Sequence, residues 1–197
     1  MIEANQLVAT QRNEPGRKIV LIGMMGVGKS SAGRRLAERL GLSFVDLDRR
    51  IEQSSGRTIR EIFETDGEQE FRNLEEEALR VVLGDPEPML IAAGGGIVVR
   101  PANRRLLEGA DDVVWLRADP TILARRVRAG RDHRPLVDGD SVERLRVLAA
   151  DRDESYRAVA TATVDAGERS LDEVVAAVLT VIDDSVRRST SDRGAGA

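Results

Sequence analysis

The segment Gly23-Met-Met-Gly-Val-Gly-Lys-Ser30 constrains this chain more than any other stretch. It matches the pattern G-x-x-x-x-G-K-[ST] at every position. Its flanks also fit. Lys18-Ile-Val-Leu-Ile22 before it is a short apolar run of the kind that forms a buried strand. After it, Ala32, Leu36 and Leu40 fall four apart, the stripe of an amphipathic helix. A glycine-rich turn between a strand and a helix leaves backbone N–H groups pointing inward and adds the positive end of the helix dipole. Such a loop holds the phosphates of a nucleoside triphosphate. Lys29 is placed to reach the β- and γ-phosphates, and the Ser30 hydroxyl to ligate Mg²⁺. GTPases, motor ATPases and small-molecule kinases all carry this pattern, so the rest of the chain must discriminate among them.

Strand-like and helix-like segments alternate along the rest of the sequence. Ser43–Asp46, Met89–Ala92, Asp112–Leu116 and Ala162–Asp165 read as further strands, which gives five with Lys18–Ile22. Helices are predicted over 30–40, 69–83 and 141–160. Capping boxes open two more, at Thr58-Ile-Arg-Glu61 and Ser170-Leu-Asp-Glu173. Asp119-Pro120 supplies a cap followed by proline at the first helical position. Short apolar strands separated by helices imply an α/β fold with a parallel sheet covered on both faces. In such folds ligands bind beyond the carboxyl ends of the strands, so residues just after each strand carry the chemistry.

Residues 1–16 and 186–197 are polar and read as a disordered leader and tail around a domain spanning 17–185. The longest apolar stretch, Val174–Ile182, is too short to cross a bilayer, and the leader has no apolar core. The chain lacks cysteine, which removes disulfides and thiolate sites and suits a reducing, cytoplasmic setting. A net charge of −4 and only five aromatic residues argue against nucleic-acid binding by basic patches or base stacking.

Three features follow the strands. Asp46 and Asp48 lie on one side if the second strand continues, where one carboxylate could support Mg²⁺ through water and the other could accept a hydroxyl proton. The alternative is that Asp48 caps a helix over 49–54. Gly94-Gly-Gly96 follows the third strand and permits close approach of backbone to a ligand; otherwise it is a flexible loop. Residues 125–134 hold five arginines around one glycine and read as a mobile basic segment able to close over ATP. A nucleic-acid patch and a solvated loop are the other readings of that stretch. His133, the only histidine, is expected to be solvated. Arg72, Arg152 and Arg169 carry no pattern of their own; surface ion pairing is the common fate of such residues.

Taken together, Gly23–Ser31, Asp46-Leu-Asp48, Asp66-Gly-Glu-Gln-Glu-Phe-Arg72, Gly94–Gly96, Arg134-Pro135 and Arg152 with Tyr156 resemble the shikimate kinase family over residues 18–182. The resemblance implies a P-loop kinase-like three-layer sandwich with a five-stranded parallel sheet and a mobile lid at about 126–140. It implies phosphorylation of the 3-hydroxyl of shikimate by ATP in aromatic amino-acid biosynthesis, with Mg²⁺ and as a monomer. The roles it implies are specific. Gly26, Val27, Gly28, Lys29, Ser30 and Ser31 hold the ATP phosphates, Ser30 ligates the metal, and Asp46 supports it through water. Asp48 binds the acceptor hydroxyls and acts as base. Arg72 and Arg152 clamp the carboxylate, with Gly94, Gly95 and Gly96 lining the acceptor and Gly95 donating an N–H. Arg134 belongs to the lid and contacts ATP near the transferring phosphate, Arg169 borders the adenine, and Arg126 and Arg128 are alternatives for its other flank. One departure stands out: the family often reads R-x-P-L-Y where this chain has Arg152-Asp-Glu-Ser-Tyr156. Competing readings are a kinase for another hydroxylated acid such as gluconate, an idle nucleotide-binding module, and an RNA-binding protein. Against the first stand the glycine triplet and the context of Arg72.

Overall fold

The computed structural model describes residues 15–129 and 141–194. Five strands, β1 (Lys18–Ile22), β2 (Ser43–Asp46), β3 (Met89–Ala92), β4 (Asp112–Arg117) and β5 (Ala162–Asp165), form one sheet in the order β2-β3-β1-β4-β5. Every pairing is parallel. All five match the strands predicted from the apolar runs, with β4 longer by one residue.

Eight helices connect or follow them among the described residues: α1 (Lys29–Leu40), α2 (Leu47–Ser55), α3 (Ile59–Thr65), α4 (Gly67–Gly84), α5 (Pro101–Leu107), α6 (Pro120–Ala129), α7 (Ser141–Val159) and α8 (Leu171–Gly194). Right-handed crossovers fix the layers. The chain moves outward from β1 to β2 through α1, then returns to β3 through α2–α4, so α4 lies on the opposite face. The steps β3–α5–β4 and β4–α6–α7–β5 keep that face, and α8 returns to pack beside α1. The result is a three-layer sandwich whose central strands β1 and β3 are buried along their whole length. Fully buried strands require apolar residues at successive positions, which is why KIVLI and MLIA show no alternation.

Local chemistry explains the helix ends. Thr58 and Glu61 form both halves of the expected capping box. The Asp119 carboxylate accepts from the Thr121 N–H at 2.7 Å, and Ser170 exchanges hydrogen bonds with Glu173. One helix was not anticipated, and two segments read as irregular contain helix. Helix α5, with Pro101 at its start, has too short a stripe to stand out in the sequence. Helix α8 runs to Gly194, past residue 185 where the disordered tail was expected to begin. Residues 125–129, read as the start of a mobile basic segment, form the last turns of α6, which packs against α7. Arg134, His133 and the remainder of the expected lid lie outside the described residues, as do residues 1–14 of the leader. No helix among the described residues is long and apolar enough to cross a membrane.

Candidate active site

The C-terminal ends of β1, β2 and β3 open onto a cleft of about 970 Å³. Gly28, at φ 98°, is the N-cap of α1, a left-handed conformation that a side chain would resist. Its backbone turns the chain into the helix, whose Ser30 lines the cleft. Lys29 is buried, and its Nζ donates to the Gly23 and Met24 carbonyls at 2.8 and 3.0 Å. These bonds hold the ammonium across the loop. Val27 is buried and Gly26 and Ser30 are half-buried, whereas Gly28 and Ser31 are exposed.

Asp46 and Asp48 both line the cleft, but not as successive positions of a strand. β2 stops at Asp46, which is itself the N-cap of α2 and accepts from the Arg49 N–H at 3.4 Å. The capping role considered for Asp48 therefore belongs to Asp46. Asp48 sits in the first turn of α2, where its negative charge suits the helix dipole. Ser30 and Asp46 supply a hydroxyl and a carboxylate to the same cavity. Among the described residues no three His, Cys, Asp or Glu side chains cluster to hold a metal. Few hard oxygen donors beside a phosphate loop fit Mg²⁺, which keeps several waters and takes further ligands from substrate phosphates.

On the opposite wall, α4 presents Arg72 and Glu75 three residues apart, both buried. Arg72 is not the surface ion pair its sequence context allows. Its guanidinium donates to Glu75 Oε2 at 2.7 Å and to Glu68 Oε1 at 3.0 Å. Burial pushes the Glu75 carboxyl above its ordinary range; the Arg72 charge opposes that shift and the nearby Asp48 charge adds to it. Burial disfavours the Arg72 cation, but Glu75 and Glu68 outweigh it and hold the guanidinium protonated. Glu75 Oε1 is buried without a hydrogen-bond partner among the described residues. Sequence reasoning missed Glu75. Its i,i+3 spacing from Arg72 was visible, but only the packing of α4 against the triplet buries the pair.

Gly94–Gly96 is a close-packed element and not a flexible loop. A methyl on Gly94 would stand 2.8 Å from both Asp48 Oδ1 and Glu75 Oε1. A methyl on Gly96 would fall 2.6 Å from Arg72 Cζ and closer still to its terminal nitrogens. The triplet thus lets Asp48, Glu75 and Arg72 converge on one backbone segment. Arg152, buried on α7, reaches the same place and donates to the Gly95 carbonyl at 2.9 Å. The fold therefore brings together Ser30, Asp46, Asp48, Arg72, Gly94–Gly96 and Arg152 in one cleft.

Arg169 is exposed in the turn between β5 and α8, away from those cleft-lining groups. Arg126 docks on that turn, donating to the Ala166 and Gly167 carbonyls at 3.0 and 2.5 Å. Arg128 is exposed on α6. Of the two alternatives for the adenine flank, Arg126 is the one tied to the Arg169 turn.

Comparisons with known proteins agree with this geometry. The family model described as shikimate kinase matches residues 25–183. The shikimate kinase of Symbiobacterium thermophilum is 46% identical over 164 residues, covering 82% of this chain and 93% of that protein. That of Mycobacterium ulcerans is 43% identical over 182 residues, covering 91% and 97%. The solved structure of shikimate kinase from Acinetobacter baumannii in complex with shikimate superposes with a TM-score of 0.82 at 34% identity, covering 88% of this chain and 96% of that one. With its five-stranded parallel sheet, its phosphate loop and most of its length matched, this chain belongs to the shikimate kinase family.

Proposed function

We propose that the chain transfers the γ-phosphoryl group of ATP to the 3-hydroxyl of shikimate, giving shikimate 3-phosphate and ADP. The convergence of two buried arginines on a glycine triplet opposite the phosphate loop is the observation that carries this reading. Shikimate, which the Acinetobacter relative binds, is a small hydroxylated anion. An arginine fork suits its carboxylate, because guanidinium is planar, permanently charged and able to bond both oxygens. A carboxylate such as Asp48 suits its hydroxyls.

In this reading the backbone of Gly26–Ser31 and the Lys29 ammonium orient the phosphates, and the α1 dipole favours their charge. Mg²⁺ would be held by Ser30, with Asp46 supporting it through water; when bound, it neutralises charge on the phosphate oxygens. Arg72 and Arg152 clamp the acceptor carboxylate. The triplet sets the acceptor's distance from the phosphate loop: a methyl on Gly95 would stand only 3.2 Å from the Met25 nitrogen. The acceptor hydroxyl then attacks phosphorus in line as the bond to the β,γ-bridging oxygen breaks. Its proton passes to Asp48, and the bond's electron pair leaves on ADP. Arg134 is proposed to approach the transferring phosphate, and Arg126 with Arg169 to border the adenine. All the described groups come from one chain, so a monomer suffices. A cytoplasmic location accompanies this reading, since ATP is maintained there.

A coupled ADP-release assay with shikimate, quinate and gluconate in parallel tests the proposal. Release stimulated by shikimate alone is the expected outcome. Equal stimulation by gluconate would remove the assignment of the acceptor.

A further inference from the structure

We infer that Tyr156 is a positioning residue for the acceptor site, holding the middle peptide of the glycine triplet in place when Arg152 turns to the substrate's carboxylate. The inference rests on the roles proposed above for Arg152 and the triplet. Three consecutive glycines form the least restrained backbone a chain can have, so hydrogen bonds must decide how their peptides point. Two of the three carbonyls are satisfied within the loop itself. Gly94 accepts from the Ile97 N–H at 3.2 Å, and Gly96 from the Val99 N–H at 3.0 Å. The Gly95 carbonyl instead accepts from two side chains of α7, the Arg152 guanidinium and the Tyr156 hydroxyl.

These two donors are not equivalent. A guanidinium that bonds a ligand carboxylate with both faces of its fork has less geometry left for the carbonyl. A phenol buried to 1% exposure has no competing partner from solvent. Its ring stacks on Trp115 with centroids 5.5 Å apart, and the hydroxyl's direction is set by the Gly95 carbonyl it bonds. Burial raises the Tyr156 phenol well above its ordinary value, so it remains a donor throughout the working range. The hydroxyl also lies 3.8 Å from the Met24 sulfur of the phosphate loop, so one side chain spans both halves of the site. The peptide held by Tyr156 leads directly into Gly96, whose α-carbon is the surface against which Arg72 rests. Loss of the hydroxyl therefore loosens the seat of both arginines without removing either.

Tyr156→Phe keeps the ring and the stack and deletes the hydroxyl's bond to the Gly95 carbonyl, together with its contacts to Met24 and Arg152. Steady-state kinetics with shikimate and ATP varied separately should show the shikimate KM raised roughly 3- to 10-fold, as expected for one buried hydrogen bond, with the ATP KM unchanged. Trp115→Phe weakens the stack but keeps the hydroxyl, and should leave the shikimate KM near that of the unsubstituted enzyme. An unchanged shikimate KM in Tyr156→Phe, equal increases in both KM values, or the same increase in Trp115→Phe would each overturn the inference. An unsubstituted enzyme that releases no ADP with shikimate would instead refute the proposed function, and this inference with it.

Discussion

Gly96→Ala is the most direct probe of how the fold makes the acceptor site. Gly96 does not occupy the left-handed backbone region, so alanine brings no conformational strain of its own. The added methyl would stand 2.6 Å from Arg72 Cζ. Carbon atoms in favourable contact lie about 3.5–4.0 Å apart, so the guanidinium must retreat by roughly 1 Å. Arg72 cannot retreat freely. Its 2.7 Å bond to Glu75 and 3.0 Å bond to Glu68 would stretch beyond hydrogen-bonding range or rotate out of line. Overpacking of this kind costs about 1–3 kcal/mol of stability. The effect on binding comes from misplacing a charge-assisted contact to the acceptor, itself about 1.5–3 kcal/mol, which corresponds to a shikimate KM raised roughly 10- to 150-fold. The phosphate loop is untouched, so the ATP KM should not change. Gly84→Ala serves as the control: it adds a methyl at the exposed end of α4, where nothing lies within 4 Å. Coupled ADP-release kinetics read both parameters. A shikimate KM within twofold of the unsubstituted enzyme in Gly96→Ala would refute the claim that the triplet's missing side chains position Arg72.

Lys29→Ala should abolish ADP release while the circular-dichroism spectrum stays native, because it removes the phosphate-facing ammonium and leaves the strand and helix on either side of the loop in place. Normal turnover would end its proposed role. Asp48→Asn should remove turnover yet leave shikimate binding measurable by calorimetry, since an amide still bonds hydroxyls but does not take up the proton; full activity would dismiss Asp48 as base. Glu75→Gln should flatten the pH dependence of stability. The Glu75 pKa is raised on folding, so the native state holds its proton more tightly, and stability falls as pH climbs from the ordinary 4.5 through the raised value. Chemical denaturation across that window should lose this fall in the glutamine variant; an identical profile would contradict the shift.

Much of the architecture was legible because its causes are local. An unbroken apolar run can form only a buried strand or a buried helix segment, and the flanking turns and caps settle which. So the five strands, the Thr58–Glu61 and Ser170–Glu173 boxes and the Asp119 cap stand where they were expected. Helix α5 escaped notice because seven residues are too few to display a helical period. The helical start of the arginine run escaped notice for a related reason. Charge density at 125–128 hid Leu123, Ala124 and Val127, which pack α6 onto the core.

The site divides along the same line. The phosphate loop is written in consecutive residues, so the strand, turn and helix that form it are neighbours in sequence, and Gly23–Ser30 alone determined that a nucleotide's phosphates bind there. The acceptor half has no such contiguity. Asp48, Arg72, Glu75, Gly95 and Arg152 come from α2, α4, the turn after β3, and α7, and they meet only because β1 and β3 pair in parallel and the crossovers stack α4 and α7 on one face. Tertiary structure alone decided that Asp46 and not Asp48 caps α2, that Glu75 is the buried partner of Arg72, and that Tyr156 and Arg152 share one carbonyl. The first two are contacts between residues three apart, but where β2 ends and which face of α4 is buried are set by packing between distant segments, and burial, which sets both the charge states and the hydrogen-bond choices, exists only after those segments have packed.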